Sequence, residues 1–224
     1  MILQIKGPLP RKSLSESVYD ALLENILSGA LAAGTEVSEV ALAEALRVSR
    51  TPVHEAVGRL MKDGLLVQEP PRTLVVARFR REDAVEIYEM RQLLEASAAR
   101  RAAKLIAADT LRALRAAADA LDRERDAPDW TARALDFDLR FHDAIADASG
   151  NRRLHADISR YRLLVRAFCR LTGTRENLLD ALQEHRAILA ALEARDAAGA
   201  ARLAAAHVDN RFKVTLAQLF PEDA

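Results

Sequence analysis

Four side chains of metal-binding type stand where a helical pattern calls for apolar ones. In the stretch Leu178, Leu182, His185, Leu189 and Leu192, the steps alternate between four and three, so His185 occupies a seam position of one helix. In Ala200, Leu203, His207, Asn210 and Val214 the same pattern puts His207 on the seam of the next. The turn between the two helices falls near Asp196, about eleven residues from each histidine. In an antiparallel pair the two imidazoles therefore share one height. Asp138 and His142 lie one turn apart on an earlier helix, on the side that carries Ala134, Phe141 and Ile145. One carboxylate and three imidazoles converging inside a bundle suit a divalent ion such as Zn²⁺, Ni²⁺, Mn²⁺ or Fe²⁺. The plain alternative is a set of core histidines satisfied by hydrogen bonds. Arg91 shares a stripe with Ile87, Leu94 and Ala98, and Glu95 follows one turn later. It is either half of an intrahelical pair or a bidentate clamp for a carboxylate. Arg162, beside Tyr161 and one turn from Ile158, and Asn210, one turn from His207, are further ligand-contact candidates.

A second kind of chemistry is written between Ala41 and Gly64. Leu42, Ala45 and Leu46 form one short apolar stripe, and Val53, Ala56, Val57, Leu60 and Met61 form another after a break. Ser49 or Thr51 is placed to cap the second helix, Pro52 suits its first turn, and Gly64 stops it. With the stripe facing a core, Arg50, Thr51 and His54 face outward near the helix start, as in a helix-turn-helix that offers side chains to base edges. A helical hairpin with a polar outer face reads the same way locally. The runs 65–69 and 74–79 around Pro70, Pro71, Arg72 and Thr73 predict a β-hairpin, which completes a winged helix with Arg72 at the tip.

The elements that position these groups divide the chain in two. Residues 1–12 form a basic arm containing Arg11 and Lys12, and residues 13–79 form the winged helix-turn-helix. Ser13 and Glu16 make a capping box for its first helix, whose inward stripe is Val18, Tyr19, Leu22 and Ile26. Residues 80–224 read as six helices of about 15 to 25 residues, with breaks near Asp109, Pro128, Gly150, Gly173 and Asp196. The fold class is mostly α, a winged helix-turn-helix followed by an all-α antiparallel bundle.

Composition narrows the function. Of 224 residues, 33 are basic and 33 acidic, and residues 1–80 hold 10 basic against 9 acidic, so affinity for nucleic acid must come from local placement of charge. Cys169 is the one cysteine, which rules out an intramolecular disulfide and suits the cytoplasm. No apolar run is long enough for a membrane span.

The segments Leu42-Ala43-Glu44, Val48-Ser49-Arg50-Thr51-Pro52-Val53 and Gly64-Leu65-Leu66 resemble the winged helix of the GntR family of bacterial transcription regulators. Arg50 and Thr51 carry over as base-reading residues. Arg47 departs from the family's small turn residue, His54 from its usual Arg, and Thr73 from the wing-tip Gly. Asp138-Leu139-Arg140-Phe141-His142, Ser149-Gly150-Asn151, Glu184 to Ile188, His207 and Glu89 to Glu95 resemble the FCD domain of the FadR-like branch, over residues 82–218. That resemblance implies that Asp138, His142, His185 and His207 hold a divalent metal and that a small organic acid, clamped by Arg91, completes its coordination. It implies a homodimeric repressor on double-stranded operator DNA, with Lys12 or Arg72 near phosphates. Two other readings are a metal-dependent hydrolase, from the His142-Asp143 dipeptide, and a protein-interaction module that uses the helix-turn-helix without DNA.

Overall fold

The computed structural model describes residues 13–70 and 72–221. The chain separates into two compact units, Met1–Arg78 and Phe79–Ala224. The expected basic arm, Lys12 included, lies outside the described residues.

In the first unit, helix α1 (Leu14–Leu27) opens on the expected capping box: the Ser13 hydroxyl accepts from the Glu16 amide at 3.1 Å, and the Glu16 carboxylate accepts from the Ser13 amide at 2.8 Å. Its buried stripe is Val18, Tyr19, Leu22 and Leu27, with Ile26 half-buried. Helices α2 (Glu39–Leu46) and α3 (Arg50–Lys62) form the helix-turn-helix, and α1 packs against α3. Across that contact the Tyr19 hydroxyl donates to Asp63 at 2.7 Å, and the Arg59 guanidinium lies 4.1 Å over the Tyr19 ring.

The core face of α2 differs from the expected stripe. Ala43 is its buried residue, Leu42 is half-buried, and Ala45 and Leu46 are exposed. A helix of eight residues makes only about two turns, so packing against α3 selects one small residue rather than a stripe. Arg47 ends α2 in the left-handed region at φ 54°, a conformation that costs a non-glycine residue roughly 1 kcal/mol or more. In α3 the buried residues are Pro52, Val53, Ala56, Val57 and Leu60, while Met61 is exposed. Ser49 takes the N-cap position of α3 but makes no side-chain cap bond. Gly64 follows the helix at φ 81°.

Strands β1 (Leu66–Glu69) and β2 (Thr73–Val76) pair antiparallel, Leu66 opposite Val76 and Glu69 opposite Thr73. The second strand is shorter than the run 74–79 suggests. A bridge from Glu36 to Val75 adds a third segment to this small wing. Arg72 sits in the turn, exposed, at φ 145°, so the glycine-like conformation falls one residue before Thr73.

The second unit is helical throughout its described part: α4 (Arg81–Leu105), α5 (Ala108–Arg123), α6 (Trp130–Ala148), α7 (Arg152–Thr172), α8 (Arg175–Glu193) and α9 (Ala197–Leu219). Asn151, Thr174 and Asp196 cap α7, α8 and α9 with side-chain oxygens. Ala98, Ala102 and Ala103 of α4 and Ala200 and Ala204 of α9 are all buried in one core with Trp130, Phe137, Phe141 and Leu189. Small residues there let α4 and α9 approach closely along their length, which explains the alanine-rich patches. No helix among the described residues is long and apolar enough to cross a membrane.

Candidate functional site

The bundle brings the four sequence-selected ligands together. Asp138 and His142 come from α6, His185 from α8 and His207 from α9, and one donor atom from each lies within 4.8 Å of the others. All three histidines are buried and Asp138 is half-buried. The His185 and His207 ring centroids are 4.5 Å apart, and His142 lies 5.2 and 5.1 Å from them. Phe141 packs on His185 at 4.2 Å and fixes its plane.

Carboxylates behind the rings decide which nitrogens point inward. Glu95 Oε2 lies 2.6 Å from His142 Nδ1, and Glu184 Oε2 lies 2.7 Å from His207 Nδ1. A carboxylate only accepts, so each Nδ1 carries a proton, and in the neutral ring Nε2 is the nitrogen left to ligate. His142 Nε2 then stands 3.3 Å from His185 Nε2, and both stand 3.6 Å from Asp138 Oδ1. Neighbouring donors on a metal with bonds near 2.1 Å are about 3.0 to 3.4 Å apart. The His142–His185 pair already has that spacing, and the two 3.6 Å separations from Asp138 exceed it only slightly, so a small contraction would close these donors around a first-row divalent ion.

The electrostatics agree with that use. Burial, reinforced by the neighbouring imidazoles, holds His185 and His207 well below the usual imidazole range, which keeps them neutral as ligands. Burial works against the charge on Asp138 and Glu95, but Arg162 beside the first and Arg91 and His142 beside the second keep both carboxyls well below the usual range.

Arg91 is 2% exposed, and its Nε donates to Glu95 Oε1 at 2.8 Å. The intrahelical pair is therefore formed, and it forms a chain from Arg91 through Glu95 to His142. Arg162 reaches the second oxygen of Asp138, with Nη2 2.5 Å from Oδ2. Beside these groups lies a cavity of about 40 Å³ lined by Tyr88, Arg91, Asp138, Arg162, His207 and Arg211, room for about three waters. Asn210 does not line it. It is exposed and donates to Glu184 Oε1 at 2.8 Å, so it orients the carboxylate behind His207 because a residue three positions on from a seam histidine emerges at the helix edge.

Three further residues belong to the site. Glu95 is visible in the sequence only as a partner for Arg91, and Glu184 is signalled by nothing except its place beside His185. Arg211 lines the cavity and donates to the Asn177 carbonyl at 2.7 Å. Its Nε is buried with no hydrogen-bond partner among the described residues.

In the first unit Arg50, Thr51 and His54 are exposed together on the first two turns of α3, and Arg72 is exposed at the wing tip. His54 Nδ1 lies 2.9 Å from Glu39 Oε1 of α2.

The fold is that of a winged-helix DNA-binding protein carrying a separate all-helical domain. Residues 14–76 match the model of the bacterial regulatory proteins of the gntR family and residues 86–210 that of the FCD domain. The chain belongs to the GntR family of transcription regulators. It is 33% identical over 135 residues, 58% of its length and 77% of the relative's, to an HTH-type transcriptional regulator in the TAR-I ttuE-ttuC' intergenic region of Agrobacterium vitis. It is 26% identical to the HTH-type transcriptional regulator YdhC of Bacillus subtilis over 86% of both chains. The structure is similar to that of E. coli McbR/YncC, with a TM-score of 0.74 at 25% identity, covering 92% of this chain and 98% of that one. The family and these relatives are transcription regulators, not enzymes, which sets the hydrolase reading aside. Asp143 of the His142-Asp143 dipeptide also pairs with His155 on the surface at 2.7 Å rather than with the cluster. GntR regulators bind operator DNA, so the interaction-module reading goes with it.

Proposed function

We propose that the chain is a homodimeric repressor whose hold on operator DNA is set by a small organic acid bound beside a divalent metal in its helical domain. Residues 13–79 read DNA, and residues 80–224 bind the metal and effector and pair the protomers. The observation that carries this reading is the convergence of one donor atom each from His142, His185, His207 and Asp138, with Glu95 and Glu184 holding the Nδ1 atoms of His142 and His207. When bound, a divalent ion supplies a Lewis-acidic anchor for a carboxylate oxygen.

The protein's own residues supply the rest. Arg91 and Arg162 neutralise Glu95 and Asp138 beside the cavity, so an acid entering it meets no uncompensated carboxylate from either residue, and the unpartnered Nε of Arg211 is a donor suited to a ligand oxygen. The small cavity favours a compact acid. Met90 and Leu93 are exposed one turn apart on α4, which favours pairing of two protomers through the helical domain. A two-fold dimer presents two copies of α3 to a pseudo-palindromic operator. Arg50, Thr51 and His54 meet base edges, and Arg72 meets a phosphate. A dimer seated on a promoter excludes polymerase, hence repression. The effector releases it by binding unequally to the arrangements of the two winged helices.

Fluorescence-anisotropy titration of the full chain on DNA from its own promoter region tests this, with metal-stripped and metal-loaded protein and a panel of small mono- and dicarboxylates. At least one acid should weaken binding about tenfold or more, corresponding to ~1.4 kcal/mol of coupling, only with metal loaded. DNA affinity indifferent to metal and to every acid would remove effector control.

A further inference from the structure

Helix α3 offers three exposed side chains to the groove, and one of them has its hydrogen-bonding polarity set by a neighbour. The His54 side chain is 77% exposed, yet its Nδ1 is tied at 2.9 Å to Glu39, which is 25% exposed and stands in the first turn of α2. This bond links the two helices of the helix-turn-helix. An ionised carboxylate has no proton to give, so Nδ1 donates to it. In the neutral ring that leaves Nε2 as an outward-facing lone pair. His54 then accepts and cannot donate.

The major groove has its own polarity. Cytosine N4 and adenine N6 carry amino donors, whereas guanine N7 and O6 and thymine O4 only accept. The geometry points to His54, oriented by Glu39, as a specificity-determining acceptor that reads the amino group of a cytosine or an adenine in the operator. This rests on the DNA-reading role of the α3 face. Arg50 precedes His54 by one turn on that face and is its complement, an all-donor fork that suits guanine O6 and N7. Four residues of helix span about 6 Å against about 3.4 Å for each base-pair step. The Arg50 guanine and the His54 cytosine or adenine therefore fall within about two base pairs in each half-site. As a surface hydrogen bond the Glu39 contact adds little stability. Its consequence is that the ring meets DNA in one tautomer and one orientation. Glu39 is a positioning residue in this scheme, and the carboxylate it brings near the phosphates is already engaged.

The test is selection of binding sites from a randomised duplex pool by the full-length protein at pH 8, followed by titration of single-base variants of the selected site. The wild type should favour cytosine or adenine about tenfold at one position per half-site. His54→Arg should move that position, and no other, to guanine. Glu39→Gln offers an amide that both donates and accepts, so the ring is released to either tautomer and the preference should fall below about threefold. Thermal melts of both variants check that the winged helix stays folded. A wild-type guanine preference at the position that His54→Arg alters would overturn the proposal. So would a Glu39→Gln protein that binds more weakly with its base preference intact. If the wild type enriches no sequence at all, base reading by α3 fails as a whole. An enriched site with no position sensitive to His54 sinks this inference alone.

Discussion

Arg50, Thr51 and His54 stand on the solvent side of a helix whose other side, Val53, Ala56, Val57 and Leu60, makes the core. Asp138, His142, His185 and His207 are themselves part of a core, enclosed with the ion pair of Arg91 and Glu95. In the winged helix, folding and recognition use opposite faces of one element. In the bundle, under the proposed function, they use the same side chains. Substitutions in the first region should change binding with little effect on stability, and substitutions in the second should change both.

The largest effect is expected at Arg91. Both it and Glu95 are almost fully buried, and removing one partner of a buried ion pair leaves an uncompensated charge. Arg91→Ala should cost about 3–5 kcal/mol in urea unfolding. A loss under about 1 kcal/mol would mean that the bundle interior is far more hydrated than the geometry indicates.

Next comes acid. Burial, then neighbouring imidazoles, lowers His185 and His207 below the usual range, so the unfolded chain binds more protons than the folded one once pH drops below about 6.5. The stabilisation is complete above that value and is lost as pH falls toward the folded-state values, by up to about 1.4 kcal/mol per pH unit for each ring. Urea melts of metal-stripped protein at pH 7.5, 6.5 and 5.5 should show stability falling with pH. A flat profile would count against neutral buried rings.

Arg50→Ala supplies the contrast from the other region. It should weaken binding to the selected operator by about 1–3 kcal/mol while unfolding stability stays within about 0.5 kcal/mol. An equal loss on random DNA would reassign Arg50 to phosphate contact. A comparable effect, confined to metal affinity, belongs to Glu184→Gln, which replaces the carboxylate behind His207 with a neutral amide. Metal affinity measured by chelator competition should drop about 10- to 100-fold, with the fold intact.

The same contrast explains what the sequence discloses. The seam positions of His185 and His207 and their equal distance from Asp196 are enough to place two imidazoles face to face, because long antiparallel helices transmit register faithfully. The capping box at Ser13 and Glu16 is equally local and equally legible. Short α2 is different. Its two turns carry too little periodicity to select Ala43 over Leu42 and Leu46, and only packing against α3 decides. The contacts of Glu95 and Glu184 with the imidazoles are not legible because they depend on which oxygen faces which ring across helices, and nothing in residue spacing encodes that. Asn210 shows the converse error. Its spacing from His207 suggests an inward side chain, but the helix edge turns it to Glu184.

Elemental analysis of the native full chain beside His185→Ala tests the central claim most directly. One divalent ion per chain in the wild type and essentially none in the variant is the expected result, with both proteins folded by circular dichroism. Equal metal content in the two proteins, or none in a wild type given each candidate ion, would contradict it.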